Sequence, residues 1–220
     1  RLQGAESLDL LHRISTNDLA RLQAGEARET LFVTEKGRMI DLALVMARSG
    51  GADLLPSAGA AGPLKAWIEK YIIMEDVTVE VIPVATHFLL MRPAGNKSAT
   101  EAAWLPASGR WQGADSAPGR PVAIRRAHAG FDRIDLLLAE PAAASALTAD
   151  LGRLAGGRPA WDRFRVLAGI PAYGHEITDR FNPFEAGLAG AVSFTKGCYI
   201  GQEVIARLDT YGKVQREPAG

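Results

Sequence analysis

A short run towards the C-terminal end of the chain encodes a turn that opens into a helix. The run is Lys196-Gly197-Cys198-Tyr199-Ile200-Gly201-Gln202-Glu203. Its two glycines permit a tight turn or a close approach of two backbone segments, and the residues after Gly201 are typical of a helix start. The run also holds the only cysteine of the chain. A structural cysteine is normally surrounded by apolar residues, so Cys198 is predicted to lie outside the core.

The residues around Cys198 predict a functional site. A thiol between a lysine and a helix N-terminus is in a setting that favours the thiolate, which can act as a nucleophile, a metal ligand or a redox group. Lys196 and Cys198 are therefore the first candidate functional residues. The alternative, a glycine turn with an inert cysteine, stays open. One cysteine cannot hold an iron–sulfur cluster, which needs about four ligands, so a partner would supply the others.

Strand and helix patterns alternate irregularly along the chain, which predicts an α+β fold. Residues 29–34 and 39–47 predict two strands joined by a turn at Lys36-Gly37. Helices are predicted over residues 64–72, 142–154 and 161–168, and strands over 77–81, 87–91, 122–125 and 134–139. The segment 92–121 is rich in Ala, Gly, Ser and Pro and is the least regular part. Trp104 and Trp111 within it could stack against a planar ligand.

Composition excludes several classes of function. The formal net charge is zero, so no overall attraction to nucleic acid or to an anionic membrane is expected. No stretch approaches the roughly 20 apolar residues of a membrane span. A single cysteine excludes an intrachain disulfide framework and fits a reducing compartment. The four histidines show no ligand spacing, so no metal site is predicted.

The cysteine run resembles the signature of the YgfZ family of folate-binding proteins, which shares a fold with the aminomethyltransferase (T protein) of the glycine cleavage system. Weaker similarities occur at residues 15–18, 37–42, 164–171 and 184–194. The resemblance implies a folate-binding aminomethyltransferase-like fold. Its first domain would be discontinuous, at residues 1–48 and 119–212, with an inserted α+β domain at 49–118. The family's C-terminal β-barrel would begin near Lys213 and is expected to be absent from this chain.

The resemblance implies a tetrahydrofolate-binding accessory protein that supports iron–sulfur cluster assembly or repair in client enzymes, including tRNA-modifying ones. The cofactor would be tetrahydrofolate or a derivative, and the partners iron–sulfur client or assembly proteins, with no direct contact to nucleic acid or membrane. The location would be the cytoplasm, or the mitochondrial matrix in a eukaryote. The implied functional residues are Cys198, Lys196 and Asp41, and the implied folate-binding residues are Asp41, Asn17, Tyr199, Gln202, Glu203 and Arg207.

A folate-dependent aminomethyltransferase is the second hypothesis, and the cysteine run and two further positions count against it. In aminomethyltransferases the strand that resembles residues 37–42 carries paired acidic residues, whereas Leu42 follows Asp41 here. The residue at the position of Leu167 is a glutamate expected to hydrogen-bond the pterin ring, and leucine can accept no hydrogen bond. Asp132 could substitute in part. A third hypothesis is a module that acts through protein contacts alone, with Cys198 buried and inert. Whether the chain is an enzyme stays open.

Two further groups of charged residues allow alternative interpretations. Asp41, between two apolar residues of a predicted strand, is either a folate contact or an outward-facing solvated carboxylate. A local basic stretch comprises Arg120, Arg125, Arg126 and Arg133. It predicts a solvated strand face, or a site for the anionic tail of a folate or for tRNA phosphate.

Overall fold

The structure is a computed structural model that describes residues 1–84, 86–94, 106–112, 122–128, 130–141, 145 and 156–211. In chain order its elements are β1 (Leu2–Gln3), α1 (Ser7–Ile14), β2 (Ala27–Val33), β3 (Met39–Arg48), β4 (Gly51–Leu55), α2 (Ala61–Glu69), β5 (Thr78–Val79), β6 (Thr86–Pro93), β7 (Arg110–Gln112), β8 (Val122–His128), β9 (Phe131–Leu138), α3 (Arg158–Leu167), a 3₁₀ turn (Ala189–Ala191) and α4 (Gln202–Tyr211). The described part of the chain contains no helix that is long and apolar enough to cross a membrane.

The chain forms two compact units. Unit 1 comprises Arg1–Ala24, Arg28–Val81 and Asp162–Gly220, and unit 2 comprises Gly25–Ala27 and Ile82–Trp161. These limits differ from the insertion at 49–118 that the sequence predicted. The difference arises because β4 pairs with β3 and β1 of unit 1. Conversely, β8 pairs with β7 and β9 pairs with β6, so β8 and β9 belong to the sheet of unit 2.

Unit 1 is built on a five-stranded sheet in the order β2-β3-β4-β1-β5. The predicted hairpin of β2 and β3 is confirmed, and its turn lies at Gly37. Gly37 has a φ of 68°, a conformation that glycine adopts at little cost, and its N–H donates to the Thr34 carbonyl at 2.8 Å. The hairpin matters for the site because β3 carries Asp41 and the turn packs against the start of α4.

The core of unit 1 forms where amphipathic helices cover this sheet. The buried residues of α1 are Ser7, Leu10, Leu11 and Ile14, and those of α2 are Leu64, Trp67 and Ile68. Their apolar members pack with Phe32 and Val45 of the sheet in one cluster. Each buried Leu, Ile or Phe stabilises the fold by roughly 1.5–3 kcal/mol relative to an exposed one. The cluster includes Ile14, the last residue of α1, and so packs the end of this helix against the sheet.

Unit 2 contains a four-stranded antiparallel sheet in the order β6-β9-β8-β7. One face carries an apolar cluster that includes Ala123, Ile134, Leu136 and Leu138. The short strand β7 lies within the segment 92–121 that the sequence predicted to be the least regular. Most of the helix predicted over 142–154, Trp104, Arg120 and the residues after 211 lie outside the described residues.

Candidate functional site

Asp41 is a fully buried carboxylate near the start of β3. Its exposed fraction is 0%, so the alternative of an outward-facing solvated residue is wrong. Oδ2 accepts a hydrogen bond from the Ser57 backbone N–H at 3.1 Å. Oδ1 is buried and has no hydrogen-bond partner among the residues that the structure describes. Native structures rarely leave such an atom unsatisfied, so this oxygen keeps an unused acceptor for a proton, an internal water molecule or, once the neighbouring groups move aside, a ligand.

Burial raises the pKa of Asp41 to about 6, although the hydrogen bonds from Ser57 work in the opposite direction. The carboxylate is therefore mainly ionised at neutral pH but can hold a proton in mildly acidic solution. A rise of this size corresponds to roughly 3 kcal/mol of unfavourable free energy for the buried charge. A group that is kept buried at such a cost is a candidate for function.

Leu42, the next residue of β3, packs in a different environment. It is partly buried and contacts the second apolar cluster of unit 1, which includes Met39, Ile177 and Tyr199. Leu42 also offers its backbone carbonyl to the Ser57 hydroxyl at 3.4 Å. This strand therefore presents one carboxylate at the site.

The cysteine run forms the predicted turn before a helix, and α4 begins at Gln202. Gly201 has a φ of 79°, and a Cβ atom there would lie 2.5 Å from the Thr34 carbonyl oxygen. Glycine is thus required at Gly201 for both backbone conformation and close approach. Gly197 has open space around it, so only the second glycine has this structural role.

Cys198 is exposed, as its non-core sequence context predicted. Tyr199 on its C-terminal side is buried in the second apolar cluster, and burial raises the pKa of its hydroxyl to about 12. The loop therefore presents the thiol to solvent beside an anchored aromatic ring. The chemical role of the thiol stays a prediction.

Lys196 extends its ammonium group to the end of α1. The group donates to the carbonyl of His12, to that of Ser15 at 2.8 Å and to that of Asn17 at 2.9 Å. Nζ also lies 5.0 Å from the centre of the Tyr199 ring, within the range of a cation–π interaction. The sequence pattern places this lysine beside the thiol but gives no sign of the carbonyls, which lie about 180 residues earlier.

The residues predicted to bind folate in this region make mostly intramolecular contacts. Gln202 accepts the Tyr199 backbone N–H at 3.2 Å and so closes the turn before α4. Glu203 and Arg207 form an exposed pair one helical turn apart, with side chains 78% and 69% exposed. Asn17 donates to the Glu29 carbonyl at 2.8 Å and accepts the Asp18 N–H at 2.9 Å. Their part in ligand binding remains a prediction.

Leu167 ends α3 and is 71% exposed. The helix then stops at Gly169, which has a φ of 63°. Two residues before Leu167, Arg165 is buried and donates to Glu176 at 2.9 Å, and the same carboxylate accepts the Ala172 N–H at 2.9 Å. This pairing was missed, because nothing in the sequence relates the two residues.

Three arginines of the basic stretch, Arg125, Arg126 and Arg133, are largely buried ion-pair partners in unit 2, so the prediction of a solvated strand face is wrong for these three. Arg125 donates to Asp132 at 2.6 Å. Asp135, with an exposed fraction of 0%, contacts Arg126 at 2.5 Å, Arg133 at 3.1 Å and His87 at 2.9 Å. Burial raises the pKa of Asp135, but His87 and the two arginines outweigh burial and hold that pKa below its usual range.

Two residues that the sequence left as possible ligand contacts have other roles in unit 2. Asp132 is engaged by Arg125, which accounts for its carboxylate without a ligand. Trp111 is buried in β7, so its ring packs inside the protein. Among the described residues, no group of three or more His, Cys, Asp or Glu side chains could hold a metal ion.

The chain is similar to known transferases over nearly its whole length, although no family model matches it. The Arabidopsis thaliana protein named "Putative transferase At1g60990, chloroplastic" is 30% identical over 230 residues, which cover 100% of this chain and 53% of that protein. The aminomethyltransferase of Geobacillus kaustophilus is 32% identical over 234 residues, covering 98% of this chain and 63% of the enzyme. The chain thus spans between about half and two thirds of the length of these relatives.

A solved structure is also similar over nearly the whole chain. The glycine cleavage system aminomethyltransferase T of Bartonella henselae superposes with a TM-score of 0.74 at 20% identity, covering 96% of this chain and 60% of that protein. This likeness shows the fold. Together, the relatives and the solved structure indicate the aminomethyltransferase-like superfamily, and the predicted α+β fold of that type is confirmed.

Proposed function

We propose that this chain binds a reduced folate through Asp41 and serves as an accessory protein of the YgfZ type rather than as an aminomethyltransferase. The observation that carries the proposal is the buried Oδ1 atom of Asp41, which has no partner among the described residues. A tetrahydrofolate carries N–H groups that can donate a hydrogen bond to such an oxygen. Asp41 therefore fits the ligand that the superfamily implies.

Asp41 would contribute in two ways. Its ionised carboxylate would orient the ligand through a charge-assisted hydrogen bond, which is stronger than a neutral one. Its raised pKa, about 6, would also let it hold a proton in mildly acidic solution. Bound tetrahydrofolate would supply nitrogen atoms that can carry a one-carbon unit.

The reduced number of acidic groups supports an accessory role. Leu42 follows Asp41, and the exposed Leu167 side chain offers no acceptor to a pterin ring. The aminomethyltransferase pattern would place a pair of acidic residues and a glutamate at the ligand, and this chain keeps Asp41 of that set. Binding with slow or no aminomethyl transfer is the expected consequence.

The exposed thiol of Cys198 supports a role towards a partner. It could supply one ligand to an iron–sulfur cluster, and the client or assembly protein would supply the others. The accessory function in iron–sulfur assembly or repair rests on the resemblance of the cysteine run to the YgfZ signature.

The second candidate is a folate-dependent aminomethyltransferase, and the names of several relatives favour it. The two hypotheses share folate binding and differ in turnover. We would therefore titrate the protein with tetrahydrofolate by calorimetry and run a glycine-cleavage aminomethyltransferase assay on the same preparation. Binding without turnover supports the accessory role. Turnover would make the chain an enzyme, and absence of binding would contradict both hypotheses.

A further inference from the structure

The ammonium group of Lys196 has all of its donors committed to main-chain carbonyls. An ammonium group has three N–H bonds, and the three acceptors are the carbonyls of His12, Ser15 and Asn17. These carbonyls lie in the last turn of α1 and in the loop directly after it. No N–H bond of this group is left to donate to a thiolate at Cys198.

The end of α1 needs such a partner. The last four carbonyls of a helix have no donor within the helix, and they carry the negative end of its dipole. Ser15, which caps α1, has an extended backbone (φ −134°, ψ 168°) and not the left-handed conformation that often satisfies these carbonyls. A lysine from a distant part of the chain therefore completes the cap.

Other bonds tie the same two segments together. The Thr16 hydroxyl donates to the Ala191 carbonyl at 2.7 Å, and the Ser193 N–H donates to the Thr16 carbonyl at 2.9 Å. Tyr199 and Gly201 hold the far side of the cysteine loop against the hairpin of β2 and β3. Cys198 thus lies between a lysine anchor and an aromatic anchor.

We propose that Lys196 is the positioning residue of the cysteine run: it joins the run to the end of α1 and fixes where Cys198 is presented, without activating the thiol. Burial lowers the pKa of the ammonium group to about 8, and the Asp18 carboxylate opposes this effect, so the group stays mainly charged at neutral pH. The proposal does not depend on folate binding.

The geometry also predicts that arginine cannot replace this lysine. A compact ammonium group can direct three donors to three converging carbonyls, whereas a planar guanidinium donates in a flat fork. Lys196→Arg keeps the positive charge but loses the convergent contacts. Lys196→Met keeps a side chain of similar length but loses both the positive charge and the contacts to the carbonyls.

The test uses the full chain without folate and has two readouts. The first is the pH dependence of the rate at which iodoacetamide alkylates Cys198, the only thiol. The second is amide hydrogen exchange in residues 12–18 and 193–199. The control is Lys65→Met, which removes a partly exposed lysine paired with Glu69 on α2.

We expect both Lys196 variants to lose protection in the two segments together, by about tenfold or more, while the control keeps it. The midpoint of the alkylation profile should shift by less than about 0.5 pH units in either variant, because no ammonium donor is available to the thiolate. If Lys196→Met does not fold, Lys196→Arg decides. Wild-type protection in Lys196→Arg, or an upward shift of about one pH unit or more in the alkylation midpoint of Lys196→Met, would overturn the proposal.

Discussion

The backbone N–H of Ser57 donates to one oxygen of Asp41 at 3.1 Å, while the other oxygen of this buried carboxylate has no partner in the described part of the chain. Ser57 lies between β4 and α2, so the way that α2 approaches the sheet determines the environment of Asp41. The same arrangement leaves the proposed binding group with an unused acceptor and lowers stability, and the two effects can be measured separately.

Asp41→Asn is expected to stabilise the protein at pH 7.5. The folded-state pKa is raised to about 6, above the unfolded value, so the folded protein binds more protons than the unfolded chain between about pH 4 and pH 6. The stability of the wild type therefore falls as pH rises through this window, and the variant should not show this fall. We expect a gain of about 1–2 kcal/mol in the free energy of unfolding at pH 7.5, because asparagine avoids the charge but leaves an amide to be satisfied.

Urea denaturation at pH 4 and at pH 7.5 measures this effect. Asp9→Asn is the control, since Asp9 is an exposed carboxylate of α1 whose side chain is 66% exposed. A variant that is less stable than the wild type at pH 7.5 would contradict the assignment of Asp41 as a destabilising buried charge.

Gly201→Ala is expected to destabilise the protein by at least about 2 kcal/mol, because alanine is strained at positive φ and its Cβ would meet the Thr34 carbonyl at 2.5 Å. Gly197→Ala is the matched control in the same turn, where a Cβ meets open space. Thermal unfolding of the two variants measures the difference. Equal melting temperatures would show that Gly201 does not hold α4 against the hairpin.

Gln202→Ala and Glu203→Gln separate a structural contact from an exposed one. Gln202→Ala removes the acceptor of the Tyr199 N–H and should cost about 1 kcal/mol, as for a lost helix cap. Glu203→Gln breaks a surface pair with Arg207 and should cost no more than about 0.5 kcal/mol. Chemical denaturation of both variants tests the order of the two effects. A larger loss in Glu203→Gln would contradict the assignment of Gln202 as the closing contact of the turn.

Asp135→Asn should destabilise the protein by about 3–5 kcal/mol, because it leaves Arg126 and Arg133 without their buried counter-charge. Arg110→Gln, which breaks the more exposed pair of Arg110 with Glu26, is the control and should cost less than about 1 kcal/mol. Urea denaturation measures both changes. Similar small effects in the two variants would mean that the charged groups around Asp135 do not stabilise unit 2.

The parts of the fold that could be predicted from the sequence are local. The hairpin turn at Gly37 and the turn at Gly201 each depend on a glycine within a few residues of the strands or the helix that it joins. The exposure of Cys198 followed from its polar, glycine-flanked context.

The parts that could not be predicted depend on contacts between distant segments. The carbonyl partners of Lys196 lie at residues 12–17. The burial of Arg126 follows from the pairing of β8 with β9, which brings its guanidinium to Asp135. The limits of the two units differ from the predicted ones for the same reason, because strand pairing that joins residues 86–93 to 131–138 has no local signal. The unsatisfied oxygen of Asp41 could not be predicted either, because it depends on where the backbone N–H of Ser57, 16 residues further along the chain, approaches the carboxylate.

The measurement that tests the central proposal most directly is the affinity for tetrahydrofolate of the wild type, Asp41→Asn and Asp9→Asn, by calorimetry at pH 7.5. The proposed contact predicts binding at least about tenfold weaker in Asp41→Asn, which corresponds to about 1.4 kcal/mol, and unchanged binding in Asp9→Asn. Folded Asp41→Asn that binds tetrahydrofolate as tightly as the wild type would contradict the proposal that Asp41 is the folate contact.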